Sequence, residues 1–143
     1  MFGIPIQEIQ EIIGARPLTR IFRAHPAVGG VTSLRGEILP VLELSVLLGL
    51  QGTALVDPGG EARIVVVREP EGARRRAGLR VDGLGPVREL PRGVEGLDPV
   101  PATVAAKTRA LLRGVLSEPP LCAVLDVRAL LDAPELLPLS GRA

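Results

Sequence analysis

Trp and Tyr are absent from this chain of 143 residues, and Phe occurs only at Phe2 and Phe22. A core must therefore be built from Val, Leu and Ile, and the aromatic platforms on which single-stranded nucleic acid stacks are missing. A charge surplus is missing too: 17 basic residues against 16 acidic leave a formal net charge of +1, without the basic excess of a nucleic-acid binder. The single cysteine, Cys122, has no internal disulfide partner, which points to the cytoplasm as compartment. Flanked by Leu121, Ala123 and Val124, with no neighbouring base or cation to activate it, it reads as a small buried hydrophobe. His25 is the only histidine and precedes Pro26 in a loop-like stretch, so a catalytic triad or a histidine metal site lacks its partners. Glu8, Glu11, Glu43, Asp82 and Asp126 are scattered without the spacing of an acid–base pair. No catalytic residue, metal or cofactor is expected. The longest apolar stretch, 38–50, is interrupted by Glu43 and too short to span a membrane, and the N-terminus lacks the basic and long apolar regions of a secretory signal.

What the chain does have is aliphatic material cut into short pieces, with 46% hydrophobic residues, 17 glycines and 14 prolines. Short strands with frequent turns indicate an all-β barrel class, and the length allows one compact domain or two small barrels sharing a core. Residues 31–34 and 38–42 read as a hairpin around Arg35-Gly36-Glu37, with Gly36 supplying the positive φ of the turn. Pro40 cannot donate to a sheet ladder, so its strand is expected at an edge or broken there. A short helix is expected over 43–48, stopped by Gly49. Residues 62–68 form a strand that pairs naturally with 78–82, and Arg74-Arg75-Arg76 between them reads as a solvated hairpin tip. Gly83-Leu84-Gly85-Pro86 has no following helix of phosphate-loop type and reads as a turn.

The chain also resembles itself. Pro40-Val41-Leu42-Glu43-Leu44-Ser45-Val46-Leu47-Leu48 matches Ala123-Val124-Leu125-Asp126-Val127-Arg128-Ala129-Leu130-Leu131, Gly30-Val31 matches Gly114-Val115, and 3–12 parallels 78–87. Matches kept in order argue for two related substructures, approximately 1–50 and 62–133, free to interleave within one domain of 1–143. Glu43 and Asp126 occupy equivalent positions and are expected to share a task such as capping the short helix. The second copy is preceded by the strand at 62–68 and the first by nothing equivalent, so the first barrel is expected to be one strand short. Its open edge near Phe2 invites self-association.

Gly30-Val31-Thr32-Ser33-Leu34-Arg35-Gly36, followed by Pro40-Val41-Leu42-Glu43-Leu44 and Leu47-Leu48-Gly49, resembles the signature of the CheW family of bacterial chemotaxis coupling proteins. Phe2 to Ile6, Ile9 to Ile12, Leu18 to Pro26, Ala77 to Asp82, Leu112 to Val115 and Val124 to Val127 extend the likeness over nearly the whole chain. The resemblance implies two SH3-like five-stranded barrels around a shared hydrophobic core, and an adaptor rather than an enzyme. Its implied partners are the cytoplasmic tip of a chemoreceptor and the regulatory domain of a histidine kinase. Receptor binding is implied for Arg35, with Val31, Leu34 and Val81 as weaker nominations along an apolar groove between the barrels; Arg35 has an equal structural reading as a strut fixing two strands. Kinase binding is implied for Ile9, Gln10, Glu11 and Ile12. Ser33 and Glu43 stand where the family usually has asparagine and aspartate. The missing opening strand motivates a second reading, an accessory protein that binds receptors without the kinase. A small-ligand or nucleic-acid binding double barrel is the alternative from another class.

Overall fold

The structure is a computed structural model that describes residues 1–49, 62–69, 75–119 and 121–133. Its strands are β1 (Phe2–Gly3), β2 (Ile9–Gly14), β3 (Val28–Leu34), β4 (Glu37–Glu43), β5 (Arg63–Arg68), β6 (Arg76–Val81), β7 (Leu112–Leu116) and β8 (Cys122–Leu125). Three short helices, α1 (Leu44–Leu47), α2 (Ala106–Arg109) and α3 (Val127–Leu131), accompany them. The strands form two sheets, a five-stranded one in the order β2-β5-β6-β4-β3 and a three-stranded one in the order β1-β8-β7.

The internal repeat is visible in the pairing, residue for residue. β3 and β4 are antiparallel with Gly30 opposite Val41, and β7 and β8 are antiparallel with Gly114 opposite Val124. Both pairs carry a bulge at the same place, between Val28 and Gly30 and between Leu112 and Gly114. β6 then lies parallel to β4 with Gly78 opposite Val41, as β1 lies parallel to β8 with Gly3 opposite Val124. Even the flanking bridges correspond: Thr19 pairs with Val31, and Asp98 with Val115. The two glycines at the bulges are required by these bridges, since a Cβ at Gly30 would stand 2.6 Å from the Thr19 carbonyl oxygen and one at Gly114 would stand 2.8 Å from that of Asp98.

The sheets draw their strands from both stretches of the chain. β5 and β6 join β2, β3 and β4, while β1 crosses over to β7 and β8. The shortage stays at the edge near Phe2 where the sequence places it, but the sheet it belongs to is the one that contains β7 and β8. The sheet containing β2 has its five strands, and β1 is the edge of the three-stranded sheet. By correspondence with β6, whose far side is covered by antiparallel β5, the outer side of β1 is the position with no strand among the described residues. The comparison of copies detected a strand too few, but partner choice across a parallel crossover is set by contacts distant in sequence and left no local mark.

Pro40 does not lie on an edge strand. β4 sits between β6 and β3, and its pairing with β6 begins at Val41, so Pro40 occupies the part of β4 flanked by β3 alone. The β3–β4 turn holds Arg35 at φ 51° and Gly36 at φ 82°, the two positive values of a tight two-residue reversal. α1 ends as expected, with Gly49 at φ 73° and its N–H donating to the Val46 carbonyl at 3.1 Å.

The shared capping role holds for one copy. The Asp126 carboxylate accepts from the Ala129 N–H at 3.1 Å and caps α3, whereas Glu43 makes no side-chain cap and accepts from Arg80 at 3.1 Å instead. One extra methylene carries the Glu43 carboxylate beyond its own helix turn. The basic cluster is likewise more engaged than a solvated tip: Arg75 pairs with Glu69 and Asp132, and Arg76, inside β6, pairs with Glu37. Arg74 lies outside the described residues.

One core joins the two sheets. Leu42, Val65, Val67 and Leu79 of the five-stranded sheet pack with Leu125 of the other, and Leu44, Leu47, Val127, Leu130 and Leu131 from α1 and α3 fill the space between. Each fully buried leucine contributes about 1.5–3 kcal/mol. A smaller cluster of Leu34, Leu39 and Val66, with Ile13 against it, lies on the other face of the five-stranded sheet. Between β1 and β2, the buried Glu8 accepts from Arg113 of β7 at 3.1 Å, and burial raises its carboxyl above the ordinary range despite that cation.

Candidate functional site

The chain reversal at Arg35 and Gly36 projects Arg35 from the end of the hairpin, where its side chain is 68% exposed. A non-glycine residue in the left-handed region costs about 1–2 kcal/mol, which a well-placed side chain offsets. Arg35 reaches across to β2 and makes a forked pair with Glu11, Nη1 to Oε2 and Nη2 to Oε1, the latter at 3.0 Å. Gln10 donates to the same carboxylate at 3.2 Å. These bonds, that from Arg35 first, hold the Glu11 carboxyl below the ordinary carboxylate range. The structure thus joins a residue nominated for the receptor to two nominated for the kinase. β2 and β3 are the outer strands of the five-stranded sheet, and the sheet curls until they face each other. The Thr19–Val31 bridge adds the chain after β2 to β3, completing that closure.

The other nominated residues separate into two groups. Leu34 is buried in the smaller cluster, next to Arg35 at the turn. Val31 is half-buried opposite Pro40. Val81, at the end of β6, packs against the main core. On β2, Ile9 also packs on the main core while Ile12 is exposed. The register shift between Ile9 and Glu11 interrupts simple alternation, so Ile12 is the exposed apolar side chain of this strand, beside the Gln10–Glu11–Arg35 group.

A groove of about 1130 Å³ opens beside these residues, lined by β2, by Val81 of the five-stranded sheet and by Val124 of the three-stranded one. The exposed hydrophobics Met1, Ile6, Ile12, Leu84 and Val87 gather around it. Sequence reasoning missed Met1, Ile6, Leu84 and Val87. Isolated aliphatics in loops carry no signal until the fold brings them to one rim. Among the described residues no group of three or more His, Cys, Asp or Glu side chains could hold a metal ion. No helix among them is long and apolar enough to cross a membrane.

The family model of the CheW-like domain matches residues 1–135. The chain belongs to the CheW-like family. It is 33% identical over 137 residues to the chemotaxis protein CheW of Klebsiella aerogenes, covering 94% of this chain and 77% of that one. It is 30% identical over 116 residues to the chemotaxis protein CheW of Rhizobium meliloti, covering 81% and 70%. The scaffolding protein TtCheW from Thermoanaerobacter tengcongensis has the same fold, with a TM-score of 0.73 at 22% identity over 88% of this chain and 77% of that structure. The two SH3-like subdomains of the CheW fold are the two repeated sheets described above.

Proposed function

We propose that this CheW-like chain is a non-enzymatic chemotaxis adaptor that couples the cytoplasmic tip of a chemoreceptor to the regulatory domain of a histidine kinase. The observation that supports this most is the Arg35–Glu11 pair, which ties the receptor-nominated turn to the kinase-nominated strand in one rigid unit. In this reading Arg35 contacts the receptor, Val31 and Val81 flank it, Leu34 anchors the turn from beneath, and the groove receives the receptor's helical tip. Ile12 is the apolar contact for the kinase domain, with Ile9, Gln10 and Glu11 holding its strand. The adaptor works in the cytoplasm, where both partners present these surfaces, and the outer edge of β1 is the place where a second copy would pair.

The test is a parallel pull-down against receptor tips and the kinase regulatory domain. The unaltered chain is expected to retain both, Arg35→Glu to lose at least tenfold in receptor binding while remaining folded by circular dichroism at the assay temperature, with a melt lowered by loss of the Glu11 pair, and Ile12→Asp to lose the kinase domain selectively. Retention of neither partner by the unaltered chain, or full receptor binding by Arg35→Glu, overturns the proposal.

A further inference from the structure

On the face of β3 away from the turn, a pocket of about 390 Å³ is lined by Arg16, Arg20 and Arg80 together with Leu18 and Gly29. Its shape is built into the backbone. The segment carrying Arg16 and Arg20 is fixed to β3 by a reciprocal pair of hydrogen bonds between Thr19 and Val31, at 2.9 and 2.8 Å, and by Arg16 donating to the Ser33 carbonyl at 3.3 Å. Gly29 lets Glu43 and Leu18 close in on the pocket wall, since a Cβ there would stand 2.8 Å from Glu43 Oε1 and 3.2 Å from Leu18 Cδ1.

The charges in this pocket do not balance. Glu43 is the carboxylate beside it, and it engages Arg80 Nη1 at 3.1 Å. Arg80 Nε is buried and has no hydrogen-bond partner among the described residues. A buried donor in that state is satisfied by an ordered water or by an acceptor bound in the pocket. Arg16 donates only to a neutral carbonyl, and no ion pair holds Arg20 among the described residues. Guanidinium groups gathered around one cavity match the forked geometry of carboxylate and phosphate oxygens.

We infer that this pocket is an oxyanion site for a doubly charged ligand of the phosphate or dicarboxylate type, separate from the Arg35 surface and independent of the adaptor reading. Arg80 supplies the buried donor at its base, and Arg16 and Arg20 close over the ligand from the loop. Isothermal titration calorimetry of the full chain with inorganic phosphate and with glutarate, at ionic strength held constant with chloride, tests the inference. Saturable one-to-one binding is expected, weakened at least tenfold in Arg20→Gln and further in the Arg16→Gln/Arg20→Gln double variant. Both positions are exposed, and Arg20→Gln alone decides the matter if the double variant melts early. Tighter binding of phosphate identifies a phosphorylated ligand, and tighter binding of glutarate identifies an acidic side chain. Absence of saturable binding of both anions, or binding unchanged in Arg20→Gln, overturns the inference.

Discussion

Arg35 carries the most consequence of any single residue, and the sequence revealed half of it. The turn, its glycine and the lone arginine were legible because all three are local. The partner was not, because Glu11 lies 24 positions away and meets Arg35 only when the sheet curls. The pairing also makes stability depend on pH in a defined direction. Glu11 titrates lower in the folded chain than its ordinary value of about 4.3, so its contribution is complete above that value and is lost as pH falls through the lowered folded one. Arg35→Gln is expected to be less stable than the unaltered chain at pH 7, with the difference shrinking as pH falls below the ordinary carboxylate value and closing once Glu11 is protonated in the folded chain as well. Urea denaturation of both proteins across that range measures it, and a gap that persists in acid would show that Arg35 stabilises the turn by something other than Glu11.

At the scale of elements, the repeat foretold strands and helices but not which copy each strand would serve. Matching Gly30 to Gly114 was sound, because both glycines admit a neighbouring backbone carbonyl at the same bulge. Matching Glu43 to Asp126 as caps was half right, because a cap depends on side-chain length as well as charge. The glycine equivalence predicts that Gly30→Ala and Gly114→Ala each destabilise the fold by about 1–3 kcal/mol in urea denaturation. Gly30→Ala is expected to cost more, since φ of 142° adds backbone strain to the collision. Gly14→Ala is the control, because nothing lies within 4 Å of its added Cβ, and it is expected to change little.

For the whole molecule, the aliphatic composition rightly announced a core built from Val, Leu and Ile, with Phe2 packed at its margin, and the two-barrel architecture with one shared interior followed from the repeat. The exchange of β1 for β5 and β6 between the copies was hidden, since each crossover joins residues far apart in the chain. A shared interior predicts that the two sheets unfold together. Leu130→Ala is expected to cost about 2–5 kcal/mol and to lower hydrogen-exchange protection equally in β5 and β8; loss confined to β8 would mean that the sheets are separate cooperative units. The crossover of β1 also sets an order of assembly on the ribosome. The five-stranded sheet has every strand it needs once Val81 has been made, whereas the pairing of Gly3 with Val124 must wait for a residue made 121 positions later. Its inner face is covered only by α1 until β8 and α3 emerge, so the first-made sheet spends much of synthesis with part of its apolar side waiting for the last of the described helices.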